Sequence, residues 1–247
     1  MPLFSSKKEI PLSDFIPKGY IDIHSHLIPN IDDGVTTIYQ SAYILEQLQN
    51  MGVKKTITTP HVMQDVWPNT TSNIKSNLKE VVEITETLKI KELEIQAAAE
   101  YMLDDLFYER LKKNDILTLH KNYILVEMST FAAPMNLNEI LFEIKLSGYI
   151  PILAHPERYS FYNDDLNKFY ELKKMGFLFQ LNLLSLSGYY GDKIALFAKK
   201  MMDKNLYDFT GTDIHNYHQL RTLEQGYVSR VAKKVSKLMK KNAIFSS

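Results

Sequence analysis

Short apolar runs of this chain repeatedly end on an imidazole or a carboxylate. The segments are Ile21-Asp22-Ile23-His24-Ser25-His26, Thr58-Thr59-Pro60-His61, Ala97-Ala98-Ala99-Glu100, Ile124-Leu125-Val126-Glu127, Ile152-Leu153-Ala154-His155 and Thr212-Asp213-Ile214-His215. Imidazole and carboxylate together are the ligands that hard-to-borderline divalent metals prefer. Ligand-type residues at the ends of separate apolar runs predict one converging metal site, and so an enzyme.

Each position adds something different. His24 and His26, two apart on a strand, project to the same face and can reach one ion. Asp32-Asp33-Gly34 follows at once; Asp33 is the ligand candidate of that pair, and Asp32 is expected to shape the turn before glycine. His61 follows a proline that stops a strand, and Glu100 follows three small alanines that leave room for something bulky. Glu127 sits inside an apolar strand, where an unpartnered charge costs several kcal/mol, so it demands a partner. Arg158, three residues after His155, offers the planar fork that suits phosphate oxygens. Asp213 and His215 repeat the i, i+2 geometry. His120 lies in a connecting segment and is expected to take no part, and His218 is expected beside the site or on the surface. Nine ligand candidates, His24, His26, Asp33, His61, Glu100, Glu127, His155, Asp213 and His215, are too many for one ion; two or three ions with a bridging carboxylate would use them all.

The elements that must hold them read as strands alternating with helices. Strands are expected over 19–23, 54–59, 93–99, 123–128, 149–154, 177–182 and 207–211. Helices are expected over 38–51, 73–90 (with Leu78, Val81, Val82, Ile84 and Leu88 as its apolar face), 136–147, 164–175, 192–204 and 228–240. About seven β-then-α units predict an α/β fold with a parallel sheet. Candidates at so many strand ends favour a closed barrel over an open sheet, with the site at its carboxyl-terminal mouth. Residues 1–18 are expected to form a surface or partly disordered extension, and 19–247 a single domain. The last helix is basic and expected to be a solvated face.

Composition narrows the function classes. Among 247 residues, 29 basic and 29 acidic side chains balance, so nothing advertises nucleic acid as a partner. There is no cysteine, which excludes disulfides and thiol nucleophiles and fits a reducing compartment. Residues 1–18 lack the apolar core of a signal peptide, and no run is long and apolar enough to span a membrane. A cytoplasmic protein is the expectation. Nothing in the composition sets an oligomeric state.

Taken together, Asp22-Ile-His-Ser-His26 with Asp32-Asp-Gly34, Thr59-Pro-His61, Ala99-Glu100, Val126-Glu127, Ala154-His-Pro-Glu-Arg-Tyr159 and Thr212-Asp-Ile-His-Asn216 resemble the PHP (polymerase and histidinol phosphatase) superfamily. The Asp-Asp-Gly and the His-x-Glu-Arg-Tyr run narrow the resemblance to the bacterial tyrosine-protein phosphatases of capsule and exopolysaccharide genes, the CpsB/YwqE type. The resemblance implies a PHP-type distorted seven-stranded (β/α) barrel with a trinuclear centre, usually manganese, with iron or zinc as other occupants. It implies one ion on His24, His26, Glu100 and Asp213, a second on Glu100, Glu127 and His155, and a third on Asp33, His61 and His215. Arg158 matches the family's phosphate-contacting arginine.

Two departures stand out. The family carries basic residues after the third histidine motif, whereas this chain has Val62-Met63-Gln64-Asp65. A second family arginine is matched only loosely, by Arg221. Trp67, in the loop after His61, is a candidate contact for the phosphotyrosine ring.

The expected reaction is phosphomonoester hydrolysis on a phosphotyrosine protein, with a bacterial tyrosine autokinase of polysaccharide export as the expected partner. Water on a divalent ion reaches a pKa of roughly 7 and can serve as nucleophile, with Arg158 stabilising the phosphoryl oxygens. The rival readings are a small-molecule PHP phosphatase of the histidinol-phosphatase kind and a non-catalytic, metal-stabilised binding module.

Overall fold

The computed structural model describes residues 10–162, 165–228 and 231–246. Seven parallel strands form its centre: β1 (Tyr20–Asp22), β2 (Val53–Thr58, resumed at His61–Val62), β3 (Glu94–Ala97, resumed at Glu100–Met102), β4 (Tyr123–Glu127), β5 (Ile150–Ala154), β6 (Leu178–Asn182) and β7 (Phe209–Gly211). Each pairs in parallel with the next in chain order. The interruption in β2 falls at Thr59-Pro60, where proline has no N–H to give the ladder; Ala98 N to Thr58 O (2.9 Å) and Glu100 N to Pro60 O (3.1 Å) carry the register across it.

The ring closes between β7 and β1. At the mouth, Asp213 N donates to His24 O (2.7 Å) and His26 N to Ile214 O (2.9 Å). At the opposite end the buried Asn242 side chain donates to Ile21 O (2.8 Å) and Thr210 O (2.7 Å) and accepts from Thr210 N (3.2 Å). One amide thereby satisfies the backbone where the two strands meet. Gly211 is required at this seam, because a Cβ there would lie 2.6 Å from His24 Cβ and 2.9 Å from the Gln180 amide nitrogen. The result is the distorted seven-stranded barrel expected from the spread of ligand candidates over the strand ends and from the resemblance.

Alternation along the strands divides the core. On β4, Ile124 and Val126 belong to the large cluster beneath the helices, whereas Leu125 packs with Ile21, Ile57, Ile152 and Phe209 in a second cluster. Period-2 alternation places that second set inside the barrel, with Leu119 and Phe245 against it. The interior is thus apolar in its lower half and polar above, beginning with Glu127 and Gln180.

Among the described residues, eight helices surround the barrel: α1 (Ile38–Asn50), α2 (Thr71–Thr87), α3 (Asp105–Lys112), α4 (Leu137–Leu146), α5 (Leu166–Met175), α6 (Asp192–Asp203), α7 (Tyr217–Gln225) and α8 (Ala232–Met239). Thr37, Thr70, Asp104, Asp165 and Asn216 cap helix starts with their side chains, as short polar residues do. The apolar face of α2 differs from expectation: Ile74, Val81 and Thr85 are buried, while Leu88 is half exposed, just past the last turn.

Three features depart from the sequence expectation. α3 and α7 were not expected. The last helix starts at Ala232 rather than 228, because Tyr227–Val228 pairs antiparallel with Ile10–Pro11. That pairing also draws in the expected surface extension: Leu12 is fully buried and Ile16 nearly so, in the same cluster as Val235 and Met239. Residues 1–9 and Asp164 of the expected α5 start lie outside the described residues. No described helix is long and apolar enough to cross a membrane.

Candidate metal centre

All nine expected ligand residues converge on the mouth of the barrel. Three groups of side chains bring ligand atoms within 4.8 Å of one another: His24, His26, Glu100 and Asp213; His26, Asp33, His61 and His215; and His61, Glu100 and Glu127. The first matches the expected set. The second is the expected third set with His26 added. The remaining set differs, because His61 rather than His155 stands nearest both glutamates: its Nδ1 is 2.8 Å from Glu127 Oε1 and 3.2 Å from Glu100 Oε2. His155 Nε2 approaches Glu100 Oε1 to 3.0 Å but lies 3.9 Å from Glu127 Oε2.

The local chain explains how these rings are aimed. His155 (φ +34°) and Asp213 (φ +53°) end their strands in left-handed backbone, a strained conformation for residues with a Cβ that clusters at functional sites. His24 Nδ1 lies 2.8 Å from Gln180 Oε1. Since that amide oxygen can only accept, Nδ1 carries a proton and Nε2 faces Glu100 and Asp213, each 3.1 Å away. His26 is held in the same way, its Nδ1 2.8 Å from Asp32 Oδ2 and its Nε2 facing Asp213 (3.3 Å) and Glu100 (3.4 Å). His215 Nδ1 donates to Asp213 O (2.9 Å), and its ring stacks on His26 at 3.9 Å. Asp32, expected only to shape the loop, also accepts from Gly34 N (2.9 Å) and His61 N (3.1 Å).

Electrostatics shows what the cluster requires. Burial opposes an imidazolium at His24, yet Glu100 and Asp213 lift its pKa to about 10. Burial likewise opposes charge on His61, and Glu127 with Glu100 raises it to about 9. Glu100 and Asp213 resist burial and stay far below the usual carboxylate range because of the surrounding histidines. Without a cation the carboxylates thus recruit protons onto the rings. His61 Nδ1 and Glu127 Oε1 are close, yet neither is directed to complete a hydrogen bond. A buried nitrogen and oxygen left in this state, within a purely His/Asp/Glu donor set, suit a divalent ion, which would supply the positive charge the protons now supply.

Above the cluster opens a cleft of about 620 Å³ lined by Asp33, His61, Glu127, His155, Asp213 and His215 together with Arg158, Tyr190, Asn216 and Gln219. Arg158 Nη1 donates to Asp213 Oδ2 (3.0 Å), and its guanidinium lies over the Tyr190 ring at 4.5 Å. Asn182 donates to the same Asp213 oxygen at 2.7 Å. Arg158 therefore reaches the site as expected.

Two expected substrate contacts do not. Trp67 stacks on His61 with ring centroids 5.1 Å apart, because Met63 and Trp67 exchange backbone hydrogen bonds of 2.9 and 3.0 Å that fold this loop back; it is not among the residues lining the cleft. Arg221 lies on α7 in a separate groove with Tyr43, Tyr217 and Glu224. His218 is exposed beside Tyr189, and His120 bridges to Tyr123 away from the cluster. Sequence reasoning missed Gln180, Asn182 and Tyr190. The first two carried a usable signal, being polar residues two apart in the apolar strand Phe177-Leu-Phe-Gln-Leu-Asn182.

With this geometry in view, residues 20–246 match the family model described as capsular polysaccharide synthesis, CpsB/CapC. The chain belongs to the CpsB/CapC family. CapC of Staphylococcus aureus is 32% identical over 197 residues, 79% of this chain and 77% of the relative. The tyrosine-protein phosphatase CpsB of Streptococcus pneumoniae is 29% identical over 222 residues, 87% and 90% of the two chains. A solved chain from the metal-dependent tyrosine phosphatases YwqE of Bacillus subtilis and CpsB of S. pneumoniae superposes with a TM-score of 0.77 at 25% identity, covering 90% of this chain and 86% of that one. Family membership and the donor cluster together describe a metal-dependent phosphatase scaffold.

Proposed function

We propose that this chain is a metal-dependent protein-tyrosine phosphatase in which His24, His26, Asp33, His61, Glu100, Glu127, His155, Asp213 and His215 hold two or three divalent ions, manganese first among them. The observation that carries the reading is the convergence of all nine side chains and Arg158 on one cleft. Bound divalent ions supply Lewis-acid polarisation of a phosphoryl group and activation of water.

The protein's own part is largely positional. Gln180 and Asp32 hold the Nδ1 atoms of His24 and His26, so that both Nε2 atoms face inward and would be the ligand atoms once deprotonated, the kind of support that tunes such sites. Glu100 reaches His24 and His61 through Oε2 and His155 through Oε1, the arrangement of a bridging carboxylate. Arg158 spends one N–H on Asp213 and keeps others to stabilise charge on the phosphoryl oxygens, while Tyr190 under its plane limits its freedom. With no cysteine in the chain, a thiol nucleophile is excluded. Phenolate, with a pKa near 10, leaves without a dedicated acid.

The substrate reading follows the family: a phosphotyrosine protein, with a tyrosine autokinase of polysaccharide export as the partner, in the cytoplasm. The family's description as capsular polysaccharide synthesis supports the polysaccharide context of that partner. The test is hydrolysis of a phosphotyrosyl peptide by the wild type and by Glu100→Ala and His155→Ala. Both variants should stay folded and lose nearly all activity. Full activity in either sinks the ligand assignment, and faster turnover of histidinol phosphate than of the peptide sinks the substrate class.

A further inference from the structure

Phe131 is 89% exposed, and it lines the same cleft as Glu127, His155 and Arg158. It sits in the β4–α4 connection, four residues after Glu127. Its backbone N–H donates to Ser129 Oγ at 3.2 Å, a local turn that competes with regular structure and holds the loop at the rim. An isolated exposed phenylalanine needs no explanation; one at the mouth of a polar cluster does.

Topology places its neighbours. The strands run toward the mouth, so a residue two positions beyond a cluster residue stands about 6–7 Å higher on the same strand. Met63 lies just past the end of β2, two residues after His61, and Met102 follows Glu100 on β3; both line the cleft. With Phe131 beyond β4, they form an apolar wall on the β2–β4 side. Arg158 and Tyr190 come from beyond β5 and β6 and line the other side. The cleft is therefore charged at its floor and on one flank and apolar on the opposite flank, about one phosphoester above the floor.

We propose that Phe131, backed by Met63 and Met102, is the specificity element that receives the aryl group of the substrate and so selects aryl over alkyl phosphomonoesters. This inference rests on the phosphatase reading above. An aromatic ring against phenylalanine gains from edge or offset contact, and thioether sulfur adds favourable contacts to ring edges. A serine or threonine phosphate has no ring to place there. Trp67 instead presents a ring face to His61 and does not line the cleft.

The test compares phenylphosphonate with methylphosphonate, which share the anionic head and resist hydrolysis. Their affinities for manganese-loaded protein are measured by calorimetry, alongside kcat/KM for phosphotyrosine and phosphoserine peptides. Phe131→Ala should shrink the phenyl-to-methyl affinity ratio roughly three- to tenfold, with a parallel fall in the phosphotyrosine preference. Phe131→Tyr should restore both ratios, and Met135→Ser, fully exposed in the same loop but off the cleft, should leave them at the wild-type value. An unchanged ratio in Phe131→Ala, or an equal loss for both phosphonates, overturns the inference. A wild type that binds both phosphonates but hydrolyses neither peptide overturns the phosphatase reading and this one with it, whereas active wild type with an unchanged ratio overturns this one alone.

Discussion

Asp32 Oδ2 lies 2.8 Å from His26 Nδ1, with the pair almost wholly buried. This contact turns a loop aspartate into the orienting partner of a ring whose other nitrogen faces Glu100 and Asp213. Burial alone would raise its pKa, but His26, the Gly34 N–H and His61 bring it down to about 2. It is therefore a permanent carboxylate at any working pH.

Removing that carboxylate should loosen the metal rather than the fold. Asp32→Ala is expected to lower divalent-ion affinity about 10- to 100-fold with an unchanged far-ultraviolet spectrum, as titration calorimetry and circular dichroism would show. Unaltered affinity would mean that His26 is oriented by its stack on His215 instead.

Gly34 has a narrower tolerance. A Cβ there would sit 2.3 Å from His26 O and 2.6 Å from His26 Cβ, against backbone that cannot rotate away. Gly34→Ala should cost about 1–3 kcal/mol, read as a lower thermal midpoint, and weaken metal binding at the same time. A midpoint equal to wild type would show that the loop relaxes freely.

Protons and metal ions should compete. His24 at about 10 and His61 at about 9 are imidazolium at pH 7 in metal-free protein, and a ligand nitrogen must lose that proton. Metal uptake should therefore release more than one proton near pH 7, and affinity should climb as pH rises toward 9. Calorimetry in buffers of different ionisation enthalpy measures this directly. The stability sign follows the same shifts. Both folded pKa values exceed the unfolded value near 6.5, so the stabilisation is complete below about pH 6.5 and is lost as pH rises through 9 and 10. Metal-free protein should lose thermal stability over that range, and manganese-loaded protein should lose much less.

Arg158→Lys keeps a charge but not the planar fork that engages Asp213 and overlies Tyr190. The expected result is a fall in kcat/KM for a phosphotyrosyl peptide of about 10²–10³-fold, with metal content unchanged. A lysine enzyme of wild-type efficiency would remove Arg158 from the transition state.

The metal-binding half of the site was legible because a charged residue at the end of an apolar strand is too costly to be accidental. Glu127 and His155 announced themselves that way. Gln180 and Asn182 obey the same geometry but are uncharged, and so stood out less. The grouping of the donor atoms was less legible, since His61 belongs to two of the groups and its ring packs on Trp67 of the Met63–Trp67 turn. Arg221 was placed by motif spacing, but α7 turns it to another groove. The parallel sheet followed from the β/α rhythm, and barrel closure from ligand candidates at so many strand ends. α3 and α7 did not, being eight and nine residues long, too short for a clear helical period. The burial of Leu12 depends on the pairing of 10–11 with 227–228, a contact between distant segments that no local pattern contains.

The most direct measurement is phosphate release from a phosphotyrosyl peptide by protein stripped with a chelator and then titrated with manganese. Stripped protein should release essentially none, and activity should return with two or three ions bound per chain. Full activity in stripped protein, or none after the ions are restored, would contradict the account.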